Sequence, residues 1–216
     1  MTLEQLQAAW RRSDRLLGLL ADGAWLERPI ALRQPFLFYL GHLPAFAWNH
    51  LGRGLLGRRP FQAGFDELFE RGIDPVGVDA CETQASWPER AAVLDYRERV
   101  RAELTGALSD PGFPPEGATV VATVVEHELM HHETLLYMLQ ELDHGQKRRP
   151  ADWPALPPAG EARPVRVVEV PAGEATLGAA RGSLPFGWDN EFPQLRVSVP
   201  RFGVDDRPVT NADVRD

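Results

Sequence analysis

The chain has 216 residues, with 23 basic against 31 acidic side chains and a net charge of −8. That balance argues against a nucleic acid or an anionic membrane held through bulk charge, because both attract positive surfaces. The single cysteine, Cys81, excludes an intramolecular disulfide and fits a reducing cytoplasm; no apolar run approaches a membrane span, and no charged-then-apolar signal pattern opens the chain, so a soluble cytoplasmic protein is expected.

Residues 3–22 read as an amphipathic helix, with Leu3, Leu6, Trp10, Leu16, Leu17 and Leu20 near helical spacing and Gly23 as its stop. A second helix is predicted from Pro35 through Leu56. It is apolar on most sides (Phe36, Leu37, Phe38, Tyr39, Leu40, Leu43, Phe46, Trp48, Leu51), which places it centrally in a bundle. Pro44 lies inside it and removes one backbone bond, so a kink is expected beside His42. A short helix is predicted over Phe65–Arg71. Ser86 is the candidate cap of a third long helix, which opens with Pro88 in its first turn and carries Val93, Tyr96, Val100 and Leu104. A fourth runs from about Ala118 to Asp143, with Val121, Val124, Val125, Leu135 and Leu139 on its buried sides. Four long helices in this span predict a four-helix bundle.

The character changes after residue 145. Residues 146–163 are polar and Pro-rich and read as a linker. Beyond it Val165–Val170, Ala175–Gly178 and Leu195–Val199 look like short strands between Gly and Pro turns. Some fifty residues of this kind make a poor core alone, so the natural protein is expected to continue past Asp216.

Two histidines sit in the fourth helix, in the string His127-Glu128-Leu129-Met130-His131. A spacing of four residues puts both imidazoles on one face, one turn apart, where they can chelate one ion. Helical histidines are often surface or core residues without a metal. Here the helix is strongly apolar, so two free imidazoles would need buried partners. Thr123 and Thr134 share that face, and a third histidine, His42, sits next but one to Pro44 in the most apolar of the other helices. The string also satisfies the pattern of zinc metalloproteases, two histidines flanking a glutamate base. A protease needs a third ligand downstream, and the helix instead runs into the Pro-rich stretch, with no histidine after His144.

Three blocks of residues resemble one family. They are Phe38-Tyr39-Leu40-Gly41-His42, Trp87-Pro88 leading into Tyr96-Arg97, and Glu126 through Leu135 with both histidines. The family is the DinB-like non-haem iron sulfoxide synthases that make ergothioneine and ovothiol, with the related enzyme that makes selenoneine. The C-terminal stretches Val170-Pro171-Ala172-Gly173-Glu174, Pro185 through Pro193 and Pro208-Val209-Thr210-Asn211 resemble the opening of a formylglycine-generating-enzyme-type domain. The resemblance implies a mainly α chain: a DinB-like four-helix bundle over residues 1–145, then the linker, then the start of an α+β, C-type-lectin-like domain over residues 164–216.

By this resemblance His42, His127 and His131 are the ligands of Fe(II). Three imidazoles on one face of an octahedral ion leave positions for a thiolate and dioxygen. The implied reaction couples a thiol or selenol donor to the imidazole carbon of hercynine or histidine. Met130 and Leu135-Leu136-Tyr137-Met138 resemble the selenoneine-type and related bacterial enzymes. Further catalytic residues, including a tyrosine in the ergothioneine branch, are expected beyond Asp216.

Arg97 and Arg101, one turn apart, are candidates for holding a donor carboxylate; the alternative is a solvated helix face with Glu98 and Glu103. Glu128 and Glu133 are either partners that orient the imidazoles or exposed helix charges. His132 and His50 point off the ligand face, and His144 suits a helix C-terminus. Two other classes compete: a DinB-like metal-dependent thiol transferase, against which residues 164–216 count, and a non-catalytic metal-binding remnant.

Overall fold

The computed structural model describes residues 2–70, 86–155 and 163–215. Cys81 and Arg71 lie outside the described residues, and the short helix expected to reach Arg71 already ends at Leu68. The chain divides into two compact units, Met1–Trp153 and Pro154–Asp216.

The first unit is helical. Helix α1 (Leu3–Leu17) opens on a capping box in which the Gln5 N–H donates to Thr2 Oγ1 and the Thr2 N–H donates to the Gln5 side chain at 2.8 Å. It buries Leu6, Ala9, Trp10, Ser13, Leu16 and Leu17, the stripe that a 3.6-residue period demands. It stops at Gly18, five residues before the expected Gly23. Leu19 and Leu20 bond back only three residues, to Leu16 and Leu17, which tightens the last turn. Leu20 then pairs with Lys147, so residues 144–153 stay with the first unit.

Helix α2 (Phe36–Ala47) is buried along almost its whole circumference. It continues as a π-helical segment, Trp48–Leu55, that ends with the Leu56 N–H on the Leu51 carbonyl, five residues back, at 3.1 Å. A distortion was expected beside His42 and Pro44; the departure from α-helical geometry lies further along, from Trp48 onward. Helix α3 (Ala63–Leu68) follows, with the buried Asp66 accepting from the Phe61 N–H at 2.6 Å and from Tyr96 Oη at 2.7 Å.

Helix α4 (Arg90–Leu108) buries Val93, Tyr96, Val100, Leu104 and Ala107. Its N-cap position is Glu89 with no side-chain cap bond, so Ser86 does not cap it and Pro88 lies before the first turn. Helix α5 (Gly117–Glu141) starts where a Cβ on Gly117 would lie 2.6 Å from the Phe113 ring. Helix α1 packs on α5 and α2 on α4, and their apolar faces merge into one core around Phe36, Tyr39, Leu40, Tyr96 and Leu135. None of the described helices is long and apolar enough to cross a membrane.

The second unit holds two antiparallel pairs. Strand β1 (Val167–Val170) pairs with β4 (Phe202–Asp205), and β2 (Gly173–Leu177) pairs with β3 (Leu195–Val199). Gly178 has a φ of +64° and sits where a Cβ would lie 2.7 Å from the Glu191 carbonyl, so only glycine suits the turn after β2. Strand β4 and a terminal helix α6 (Asn211–Arg215) were not anticipated from the sequence. Both are short, and β4 is exposed throughout, without the alternation that marks a half-buried strand.

Candidate metal centre

His42 projects from α2, and His127 and His131 project from α5. One ring nitrogen from each lies within 4.8 Å of the others. His127 Nε2 and His131 Nε2 are 3.2 Å apart. Two imidazole nitrogens about 2.0–2.1 Å from one ion are separated by roughly 2.8–3.4 Å at octahedral to tetrahedral angles, so this spacing suits a shared ion.

Each ring is held by its surroundings. His42 Nδ1 lies 2.6 Å from the carbonyl oxygen of Phe69, the residue that ends α3. A carbonyl only accepts, so Nδ1 carries the proton and the Nε2 lone pair is left for a ligand. That backbone carbonyl does what a partner carboxylate does in many metal sites. Gly41 makes it possible, because a Cβ there would lie 2.5 Å from the Phe69 ring. Phe46 stacks face to face on His127, with centroids 3.5 Å apart and planes 5° apart. Phe38 stacks on His42 at 4.9 Å. The Nδ1 of His131 is buried with no hydrogen-bond partner.

Burial is the first cause of a lowered basicity at all three rings. At His42 the Phe69 carbonyl partly opposes it. At His127 the neighbouring rings, led by His131, add to it. His131 is pushed down to about 3 by burial, then by His42 and Arg33. The three imidazoles are thus neutral near pH 7, the form a metal requires.

The rings face a cavity of about 590 Å³ in which Arg33, Asn49, His50, Glu70, Met130 and Thr134 supply further lining. His50, placed off to one side by counting residues, also lines this cavity, its ring 4.1 Å from Phe46. The π-helical segment changes the angular count between positions 42 and 50, which a regular helix would separate differently. Arg33 and Glu70 also went unrecognised in the sequence; Arg33 sits in an irregular segment, and Glu70 in the turn just past a helix that was expected to include it.

Other candidates lie elsewhere. Arg97 and Arg101 do not line the cavity among the described residues. Both reach across to Asp14 on α1, at 3.0 Å and 2.9 Å, and Arg97 also pairs with Glu98. The face of α4 that carries them packs toward α1, which supplies the carboxylate. Glu128 is buried and accepts from Ser13, so it does not orient the His42, His127 or His131 ring. Glu133 is exposed. His132 is buried against Ser13 and turned away from the triad. Thr134 reaches the cavity, whereas Thr123 is bonded to its own helix at the Thr119 carbonyl.

A four-helix core with three convergent imidazoles on one cavity describes a DinB-type bundle whose histidines could hold a metal ion. The DinB superfamily model matches residues 5–135, and the chain belongs to that superfamily. Among curated proteins it is similar to ergothioneine biosynthesis protein 1 of Neurospora crassa, 34% identical over 230 residues that cover 97% of this chain and 26% of the relative. It is 32% identical to hercynine oxygenase of Mycolicibacterium thermoresistibile over 216 residues, 98% of this chain and 46% of the relative. With ergothioneine biosynthesis protein 1 of Schizosaccharomyces pombe it shares 26% identity over 223 residues, 87% of this chain and 29% of the relative. The chain thus spans between about a quarter and a half of the length of these relatives.

Proposed function

We propose that His42, His127 and His131 hold a ferrous ion, and that the chain serves oxidative carbon–sulfur or carbon–selenium bond formation on the imidazole of hercynine or histidine. The observation that carries this reading is the meeting of three neutral imidazoles at one cavity, two buried and one half-buried, with two of their nitrogens 3.2 Å apart. The chain's similarity to proteins named hercynine oxygenase and ergothioneine biosynthesis protein 1 supports the substrate class.

The donor set fits ferrous iron: three neutral nitrogen ligands from two helices cover one side of an ion, and the cavity leaves the other side accessible. Bound there, the metal would supply activation of dioxygen and polarisation of a thiol or selenol donor. The protein's own residues hold and shield. The Phe69 carbonyl keeps the His42 proton on Nδ1, the Phe46 ring fixes the His127 plane, and Phe38 excludes water from the far face of His42. On this reading the partners are small molecules and dioxygen. Residues 164–216 would be the opening of a formylglycine-generating-enzyme-like domain.

The test is anaerobic reconstitution with ferrous iron, comparing the parent with His42→Ala, followed by oxygen consumption with hercynine and thiol or selenol donors. The expected result is one iron per chain, lost in His42→Ala. Unchanged metal content in that variant would sink the three-histidine site and favour metal binding by the α5 pair with another ligand.

A further inference from the structure

The wall of the cavity carries a cation that the metal site does not use. Arg33 lies in the segment before α2, half-buried, and among the described residues it is the one arginine lining the cavity. Its position is fixed by its own main chain. The Arg33 N–H donates to the Ile30 carbonyl at 2.9 Å, and its carbonyl accepts from Arg28 Nε at 3.0 Å. Arg28 also donates to the Ala31 carbonyl at 2.7 Å, so a single side chain braces the whole turn. The Arg33 guanidinium lies over the Tyr137 ring of α5, 5.5 Å from its centroid. That contact orients the plane of the group, and among the described residues nothing hydrogen-bonds its donor edge.

Among the described residues no carboxylate pairs with Arg33, whereas the arginines on α4 that face α1 are both paired with Asp14. A guanidinium and a divalent ion in one cavity repel each other, and the repulsion falls when an anionic group binds between them. A planar, oriented guanidinium matches a carboxylate through two parallel N–H···O bonds. Glu70 lines the same cavity and supplies the opposite charge, which suits a zwitterion and disfavours a simple anion.

We infer that Arg33 is the residue that binds the carboxylate of an amino-acid-type substrate in the cavity of His42, His127 and His131. The inference rests on reading that cavity as the substrate site. It makes Arg33, not the Asp14-bound pair Arg97 and Arg101, the determinant of selectivity for carboxylate-bearing ligands.

The experiment is calorimetric titration of the metal-loaded chain, without oxygen, for the parent, Arg33→Met and Arg33→Lys. The probes are hercynine, histidine and cysteine, which carry the carboxylate, and histamine, which lacks it. The expected result is full metal content in both variants and at least tenfold weaker binding of the carboxylate probes to Arg33→Met. Arg33→Lys is expected to be intermediate, and histamine to bind parent and variants alike. Equal affinity of parent and Arg33→Met for the carboxylate probes overturns the inference. So does an equal loss for histamine, or the failure of every carboxylate probe to bind the parent. If hercynine alone fails while histidine or cysteine binds through Arg33, the inference stands and the hercynine reading falls.

Discussion

Ser13 on α1 donates its hydroxyl to Glu128 on α5 across a 2.5 Å hydrogen bond, with both side chains buried. One turn along α5, His132 Nε2 lies 2.8 Å from the same hydroxyl oxygen. Since the serine proton is given to the carboxylate, the imidazole is the donor to Ser13. Burial raises the Glu128 carboxyl to about 7, against the opposing pull of Ser13 and of Arg101 and Arg97. Positions 128 and 132 follow directly after 127 and 131 in the helix. The contact to Ser13 therefore fixes the rotation of α5 about its axis and with it the direction of both candidate ligands.

Replacing Ser13 by Ala leaves two buried polar groups without this partner. The expected loss of stability is about 1–3 kcal/mol, read from the urea midpoint at unchanged slope. Iron affinity should fall as well, because α5 is free to turn. A variant with the parent's midpoint would show that α1 and α5 are held by their apolar contacts alone.

Much of the bundle was legible because burial writes a period into the sequence. Leu6, Trp10 and Leu17 on α1 and Val93, Tyr96, Val100 and Leu104 on α4 are all buried as their spacing requires. The histidine pair was legible for the same reason, since four residues return to one face. The meeting of His42 with that pair is a long-range contact; its place in the most apolar of the other helices hinted at it, and the family resemblance named it. Arg33, Glu70 and the Phe69 carbonyl were not readable: the first stands in irregular chain, the second in the turn just past α3, and the third is a backbone atom. The pairing of Arg97 and Arg101 with Asp14 was equally hidden, because a positive helix face looks the same toward a carboxylate on α1 as toward a substrate.

Gly41 stands beside His42 and under the ring of Phe69, where an added Cβ would lie 2.5 Å from Cε2. Gly41→Ala must move Phe69, and the Phe69 carbonyl holds His42 Nδ1. The expected outcome is a stability loss of about 1–3 kcal/mol from overpacking, with weaker metal binding besides. Metal titration of the folded variant separates the two effects. Parent-like affinity would mean that the carbonyl contact does not orient His42.

Tyr96 donates to Asp66 at 2.7 Å, deep between α3 and α4, and burial followed by the Asp66 contact raises its hydroxyl pKa far above the usual range. The phenol therefore stays protonated and remains a donor at all ordinary pH. Tyr96→Phe removes that donor from a buried carboxylate that retains the Phe61 N–H. Stability should drop by about 1–3 kcal/mol in chemical denaturation, and Tyr96→Phe should cost nothing further when made in an Asp66→Ala background if the pair acts as a unit. An unchanged denaturation midpoint in Tyr96→Phe would show that Tyr96 acts through ring packing on Phe65 and Phe69 instead.

The metal reading also has a thermal consequence that needs no substrate. Without an ion, the protein must bury facing Nε2 atoms of His127 and His131 at 3.2 Å and an unpartnered His131 Nδ1. An ion satisfies the facing nitrogens and binds the folded chain alone, so it stabilises by mass action, about 2.7 kcal/mol when present at a hundred times its dissociation constant. For a chain of this size that corresponds to a rise in melting temperature of roughly 5–10 °C. Anaerobic melting of the iron-loaded chain with and without a chelator should show this difference, and His42→Ala should show almost none. An unchanged melting temperature on chelation of the parent would remove the metal from the site. A shift that survives in His42→Ala would instead place the ion on α5 without help from α2.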